Sequence, residues 1–283
     1  MRLSSILPAW LTGVITLLVL IVSLCFWFTV MLPGVLVRGV PIHRVQRLAS
    51  RYCVWNATSW VGTNALLLRV LHRVQWQLDI EGELDLRRSY LLISNHQSWA
   101  DILILFDAFH RRTPFARFFL KRDLLYMPIV GMVCWAMDMP FMTRKSASAD
   151  LETTRRACAV YREVPVTVVN FLEGTRFTPH KRAETQSPYT RLLRPKAGGI
   201  AYTLNAMGDQ FAGIIDVTLV YQPTRRALAW SWLCGEQEQV RLHVKVRPVP
   251  LHLLQKANSG RSHLHGWLHD VWQEKDARLT TAS

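Results

Sequence analysis

Acidic side chains are scarce in this sequence. Asp and Glu number 20 against 34 Lys and Arg, leaving a net charge of +14, and no acidic residue precedes Asp79. So basic a chain is unsuited to cationic partners and points to an anionic one: a membrane surface, a phosphorylated small molecule or nucleic acid. Cysteine is also sparse. The five thiols, at 25, 53, 134, 158 and 234, are far apart and form no C-x-x-C, which excludes a disulfide framework or zinc ribbon and suits a reducing compartment. There is no Walker loop, no G-x-G-x-x-G and no H-E-x-x-H, so P-loop, dinucleotide and zincin chemistry have no support. His263, His265 and His269 share a polar stretch with Arg261 and Trp267 that reads as a surface helix, and no metal site is expected. The absence of a G-x-S-x-G elbow disfavours a serine hydrolase of the α/β type.

Apolar residues, in contrast, are plentiful, at 50% of the chain with 11 Trp. No charge interrupts Leu3 to Val37, and Leu11 to Leu32 is almost continuously apolar. About 20 such residues span a bilayer core. A signal peptide has a shorter apolar region, about 7 to 15 residues, and a small-x-small cleavage site, which is missing here, so a retained membrane anchor is expected. Arg2 stands alone before the run while Arg38, Arg44, Arg47 and Arg51 follow it, which by the positive-inside rule puts the body in the cytoplasm. Residues 53–76 mix Trp55, Trp60, Leu66, Val70 and Trp76 with Arg69, His72 and Arg73. That pattern fits an interfacial amphipathic helix and, equally, a core-facing helix with a basic edge. Residues 1–76 therefore read as a membrane-proximal unit and 77–283 as a catalytic domain. The Trp-rich stretches suit core or lipid contact rather than a base-stacking platform, so no nucleic-acid partner is expected.

Beyond residue 76 the pattern alternates. Strands are expected at Leu91–Ser94, Phe115–Leu120, Met139–Thr143, Val164–Leu172, Gly213–Tyr221, Leu228–Leu233 and Val240–Val246. Helices are expected at Ile102–His110, Asp150–Glu163, Gly198–Met207 and 262–278, with Leu124–Trp135 mixed and Ala183–Pro188 a loop. Strands separated by helices predict an α/β sandwich, with antiparallel strands near the end.

Residues 91–101, Leu-Leu-Ile-Ser-Asn-His-Gln-Ser-Trp-Ala-Asp, carry the first chemistry. A strand delivers His96 to a loop, and the next helical turn delivers Asp101 beside it. A carboxylate that fixes the tautomer of an imidazole and stabilises the imidazolium makes it a general base. Asn95 and Ser98 could equally be plain capping residues. Further on, a buried strand runs into Glu173-Gly174-Thr175-Arg176, placing a carboxylate and a guanidinium at a strand's carboxyl end. Arg176 can grip phosphate bidentately, and Glu173 can bind a hydroxyl or hold an arginine. Arg144 ends the Pro-Phe-Met-Thr-Arg strand and, with Lys121 and Arg122, can complete an anion pocket. Lys196, in Arg-Pro-Lys-Ala-Gly-Gly before a helix, is a fourth anion candidate.

In this combination and order, Asn-His-x4-Asp, Pro-Phe-Met-Thr-Arg, Phe-Leu-Glu-Gly-Thr-Arg and Pro-Lys-x-Gly-Gly, the chain resembles the lysophosphatidic acid acyltransferase family over roughly residues 80–225. The resemblance implies a glycerolipid acyltransferase-like α/β sandwich with an N-terminal membrane-anchoring helical region. It implies fatty acyl transfer from acyl-CoA or acyl carrier protein to the sn-2 hydroxyl of lysophosphatidic acid, with no bound cofactor. By the same resemblance His96 is the base and Asp101 its partner, Glu173, Gly174 and Arg176 match the acceptor-binding block, and Arg144 meets the acceptor phosphate; Asn95 and Thr175, inside the same motifs, are further substrate-binding candidates. Partners would be the bilayer, the lysophospholipid and the acyl donor, at a bacterial inner membrane with the catalytic domain facing the cytoplasm. Where many members have Val-Pro-Val, this chain has Ile-Ile-Asp-Val-Thr-Leu-Val-Tyr at 214–221, similar to the branch that acylates lysocardiolipin and lysophosphatidylinositol. Acceptors of those kinds, lysophosphatidylglycerol, and a hydrolase using the same pair therefore stay open. Backbone amides of the histidine loop are the expected oxyanion donors.

Overall fold

A computed structural model describes residues 4, 6–72, 75–143, 147–250 and 260–281. Two long helices open it, α1 (Ala9–Val37) and α2 (His43–Leu71). They run antiparallel: Gly34 abuts Tyr52 and Cys53, Trp27 meets Trp55, and the Thr16 hydroxyl lies 2.8 Å from His72 Nε2. The packed side of α1 consists of Met31 and of Thr12, Gly13, Thr16, Ser23 and Gly34, which are small enough for close approach; a Cβ at Gly13 would lie 2.8 Å from Cys234 Sγ. Its outward side carries Trp10, Leu18, Ile21, Val22 and Phe26, all exposed. The helix is tied down at both ends, near Cys234 by Gly13 and at Asp138 by Arg38, whose guanidinium pairs with the carboxylate at 2.5 Å.

The remaining elements are β1 (Gln75–Glu81), β2 (Ser89–Ser94), α3 (Ala100–Phe109), β3 (Ala116–Phe118), β4 (Leu120–Lys121), a 3-10 turn (Arg122–Tyr126), α4 (Val130–Ala136), β5 (Phe141–Met142), α5 (Ala147–Tyr161), β6 (Thr167–Phe171), α6 (Pro179–Glu184), α7 (Ala197–Met207), β7 (Phe211–Tyr221), α8 (Leu228–Leu233), β8 (Gln239–Arg247) and α9 (Gly260–Thr281). Six strands form one sheet in the order β1-β8-β7-β2-β6-β3, and β4 and β5 form a separate parallel pair. All neighbours in the large sheet are parallel except β7 and β8. The expected antiparallel character near the end is thus confined to one pair, and the expected α/β sandwich is present.

Both faces of the sheet are covered, as a parallel sheet requires. Every residue of β2 is buried: Tyr90 and Leu92 join the layer built from α1, α2, α3 and α8, while Leu91 and Ile93 join the layer of α5, α7 and α9. Four sequence-based expectations need correction. Leu228–Leu233 is a helix, not a strand: Leu-Ala-Trp-Ser-Trp-Leu alternates in bulk, but its first turn closes on the Ala227 carbonyl and Trp232 is only 1% exposed. Trp76 belongs to β1, because α2 has already ended at Leu71. Residues 183–188 are not all loop: the first two are helical, since α6 runs to Glu184, started by Thr178, whose side chain accepts from Lys181 N. The terminal helix is no mere surface helix, since Leu264, Leu268, Val271 and Trp272 seal the second face of the sheet.

Candidate active site

Two adjacent parallel strands, β2 and β6, end together, and β7 on the other side of β2 runs on past them to Tyr221. In register, Ser94 at the end of β2 sits between Phe171 of β6 and Val217 of β7, so the segments after β2 and β6 and the last residues of β7 converge at the carboxyl edge of the sheet. Such edges, where strands run out and helices begin, are where open α/β sheets bind ligands.

His96 is delivered there by β2, with its side chain 16% exposed. Its Nδ1 lies 2.8 Å from Asp101 Oδ2, and its ring stacks on Phe171 at 4.1 Å between centroids. Asp101 occupies the first turn of α3 and is fully buried. Its Oδ2 also accepts from Gln97 N at 2.7 Å and Ser98 N at 3.0 Å, and its Oδ1 accepts from the Tyr221 hydroxyl. Facing an acceptor-only carboxylate, His96 Nδ1 carries the proton, and Nε2 is left with the basic lone pair. Burial, together with the adjoining Asp101 charge, pushes the Tyr221 phenol well above its ordinary pKa, so it stays a donor.

The residues expected to surround the dyad divide by what they touch. Asn95 is fully buried, and its side chain mimics a strand partner, accepting from Leu219 N at 2.8 Å and donating to Leu219 O at 3.0 Å. Glu173 is 1% exposed; Oε1 accepts from His96 N and Oε2 from Leu193 N, each at 2.8 Å. Neither side chain reaches outward. They lock the loop that carries His96 onto β7 and onto the segment before α7. Desolvation pushes the Glu173 pKa up to about 7 against the opposing pull of the two amide donors and the Lys275 ammonium. Gly174 has φ +68°, and Lys196 lies over it, its Nζ 3.2 Å from where a Cβ would stand. Thr175 Oγ1 accepts from Lys181 Nζ at 2.7 Å, and the Phe177 amide donates to the His96 carbonyl at 2.7 Å, which wraps 173–177 around the histidine. Arg176 and Lys196 are exposed beside it. Lys121, on β4, is exposed and paired with Asp123. Arg144 lies outside the described residues, directly after Thr143.

The amides of Gln97 and Ser98 bind Asp101 and that of His96 binds Glu173, so the expected oxyanion role of this loop's amides is not supported. Sequence reasoning missed Tyr221 and Lys181. Tyr221 ends the longest strand beside β2, a position from which its side chain reaches the loop edge, but only the register reveals its partner. Asp216, which distinguishes the 214–221 segment, points away from the dyad: it is 5% exposed and bonded to Lys275 Nζ at 2.6 Å and to Arg247 at 3.0 Å. No cluster of metal-binding side chains occurs among the described residues.

The sequence profile of the Acyltransferase family matches residues 77–222. Among curated proteins, 1-acyl-sn-glycerol-3-phosphate acyltransferase delta of Mus musculus is 28% identical over 167 residues, 56% of this chain and 43% of that protein. The gamma form from the same species is 27% identical over 168 residues with the same coverage. The matched stretch is therefore less than half the length of those relatives. The crystal structure of the 1-acyl-sn-glycerophosphate (LPA) acyltransferase PlsC from Thermotoga maritima aligns with a TM-score of 0.51 over 91% of this chain and 95% of its own, at 18% identity, a likeness of fold. With the histidine and arginine blocks both inside a profile match that covers more than half of its length, the chain belongs to the acyltransferase family.

Proposed function

We propose that this protein transfers a fatty acyl chain from a thioester, acyl-CoA or acyl carrier protein, to the sn-2 hydroxyl of lysophosphatidic acid, with His96 as general base. The observation that carries the reading is the 2.8 Å contact from His96 Nδ1 to a fully buried Asp101, which leaves Nε2 basic at the edge of the sheet. His96 Nε2 takes the proton of the acceptor hydroxyl as its oxygen attacks the thioester carbonyl. The tetrahedral intermediate collapses, the carbon–sulfur bond breaks, and the imidazolium returns the proton to the leaving thiolate. Asp101 holds the ring and stabilises its charged form. Tyr221, Gln97 N and Ser98 N hold Asp101. Asn95 and Glu173 act as positioning residues, because their polar atoms are bonded to backbone. The Thr175 hydroxyl keeps its own proton while accepting from Lys181, and with Lys196 it is our candidate donor to the oxyanion. Arg176, Lys196 and Arg144 supply positive charge for the acceptor phosphate and the donor's phosphates.

The same reading places the protein on the cytoplasmic surface of a membrane. Both ends of α1 are bound to the catalytic body, a geometry suited to a helix lying in the interface with Trp10, Leu18, Ile21, Val22 and Phe26 in the acyl region, rather than to one crossing the bilayer.

The test is acyl transfer by the purified, detergent-solubilised protein, offered labelled oleoyl-CoA or acyl carrier protein with a panel of lysophospholipids, beside His96→Ala. Phosphatidic acid formed by the parent and abolished in the variant supports the proposal. Transfer solely to another lysolipid keeps the chemistry and changes the acceptor, while free fatty acid alone overturns acyl transfer.

A further inference from the structure

The opposite end of the sheet carries a second feature that the transfer chemistry does not use. At the amino end of β2, an open bowl of about 670 Å³ is lined by Ile80, Leu84, Leu86, Asp85 and the arginines 87, 111 and 112. A second cavity of about 210 Å³ adjoins it, sharing Leu86 and Arg111, and runs between α2 and α3 with walls that include Val54, Val61, Phe106, Phe109 and Phe115. The ten residues of α3 separate this end from Asp101 by about 15 Å.

Three observations give the pair of cavities a chemical character. The bowl's three guanidiniums face one carboxylate, so it attracts anions. Arg111 makes no hydrogen bond or ion pair among the described residues and adopts φ +56°, a conformation for which Gly or Asn is the relaxed choice after a helix. A strained, unpaired cation at a cavity mouth is what a ligand site retains. Third, the cleft is walled chiefly by aliphatic and aromatic side chains, with Thr58, His110 and Thr113 as its polar members beside Arg111, and on α2, beside Val54, Trp55 is 55% exposed, with Leu66 and Val70 exposed further along. The cleft therefore opens beside a helix face suited to lipid.

We infer that this is an anionic-phospholipid site separate from the His96 centre: one acyl chain enters the cleft between α2 and α3, and the phosphate rests in the bowl on Arg87 and Arg111. Arg112 contributes charge while its Nη1 donates to the Ala108 carbonyl at 2.6 Å. The class of ligand follows from the juxtaposition, since a water-soluble anion needs no apolar cleft and a neutral lipid needs no arginines. Binding there braces α2 against α3 and ties membrane composition to the catalytic body.

The experiment uses the full-length protein in lipid nanodiscs containing phosphatidic acid with a diazirine in one acyl chain, and maps the cross-linked peptides by mass spectrometry. Labelling is expected on the α2 and α3 residues that wall the cleft. It should exceed labelling by phosphatidylcholine of the same chains by roughly tenfold, and the excess should vanish in Arg87→Gln/Arg111→Asn. Asn tolerates the left-handed backbone at 111, and Arg112 is left intact, so the helix end is preserved. Thr58→Phe, which fills the cleft from α2, should remove labelling by both lipids; a circular dichroism spectrum matching the parent's shows that it is folded. Equal labelling by phosphatidylcholine, labelling confined to the exposed face of α1, or an excess that survives the arginine variant would overturn the inference. Loss of the label on adding millimolar inorganic phosphate would also overturn it, in favour of a free-anion site. Acyl transfer by the same variants is read separately, so failure here and failure of the His96 mechanism are distinguishable.

Discussion

Tyr221→Phe isolates the least expected contact in the site. The substitution keeps the ring and its packing and removes one donor. Asp101 Oδ2 retains three donors, at 2.7 to 3.0 Å, but Oδ1 loses the only hydrogen bond it has among the described residues. For a fully buried carboxylate such a bond is worth about 1.5–3 kcal/mol. Part of that appears as lost stability, because an acceptor is left dry. The rest appears in catalysis, because the carboxylate can now rotate and dilute its bond to His96 as the imidazolium forms. If about 1.4 kcal/mol falls on the transition state, kcat drops about tenfold. KM should hold, since the Tyr221 hydroxyl is occupied by Asp101 rather than by substrate. The assay is initial rates at saturating donor and varied acceptor, for Tyr221→Phe, Asp101→Asn and the double variant. Acting through Asp101, Tyr221 should add almost nothing once Asp101 is changed. Losses that multiply in the double variant, or a kcat within twofold of the parent in Tyr221→Phe, would refute a positioning role.

Asp101→Asn itself should leave binding intact and lower turnover by about 10²-fold or more, as read from kcat and KM. Glu173→Gln tests the clamp through pH. The folded carboxyl, pushed up from 4.5 to about 7, binds a proton more tightly than the unfolded one, so its contribution to stability is full below pH 4.5 and is lost as pH rises toward 7. The parent's advantage over Glu173→Gln in chemical unfolding should therefore shrink by about 3 kcal/mol across that window, and a constant difference would count against it. Gly174→Ala forces a Cβ onto a left-handed backbone and toward Lys196, so thermal stability should fall by about 1 kcal/mol and acyl transfer should fall further. Lys275→Met leaves Asp216 buried with Arg247 as its remaining cation and should cost about 3 kcal/mol in unfolding, with the site chemistry retained.

What could be read without the structure was local. The alternation of β8 and the buried runs of β2 and β6 were legible because periodicity is a property of neighbouring residues. The same holds for the pairing of His96 with Asp101, five positions apart across a loop and a helix start. Where the local pattern was ambiguous it misled: six residues of alternating bulk at 228–233 fit either period, and the packing of Trp232 decided for a helix. The blocks at 95–101 and 173–176 were found as blocks, yet the duties of their members were not. Asn95 and Glu173 carry groups that suit a substrate equally well. Only the approach of Leu219 and Leu193 shows that those groups bond to backbone.

By itself, then, the sequence determined the family, the order of its motifs, the apolar character of α1 and the nearness of a histidine to a carboxylate, all carried by residue type at short spacing. The tertiary structure alone decided what lies across long separations. It brought Tyr221 to Asp101 across 120 positions, gave Lys275 to Asp216, and laid α1 along the body with both ends held. The physical reason is that a buried polar atom takes whichever partner strand register and helix packing bring within about 3 Å, and neither register nor packing is encoded in any one stretch of the chain.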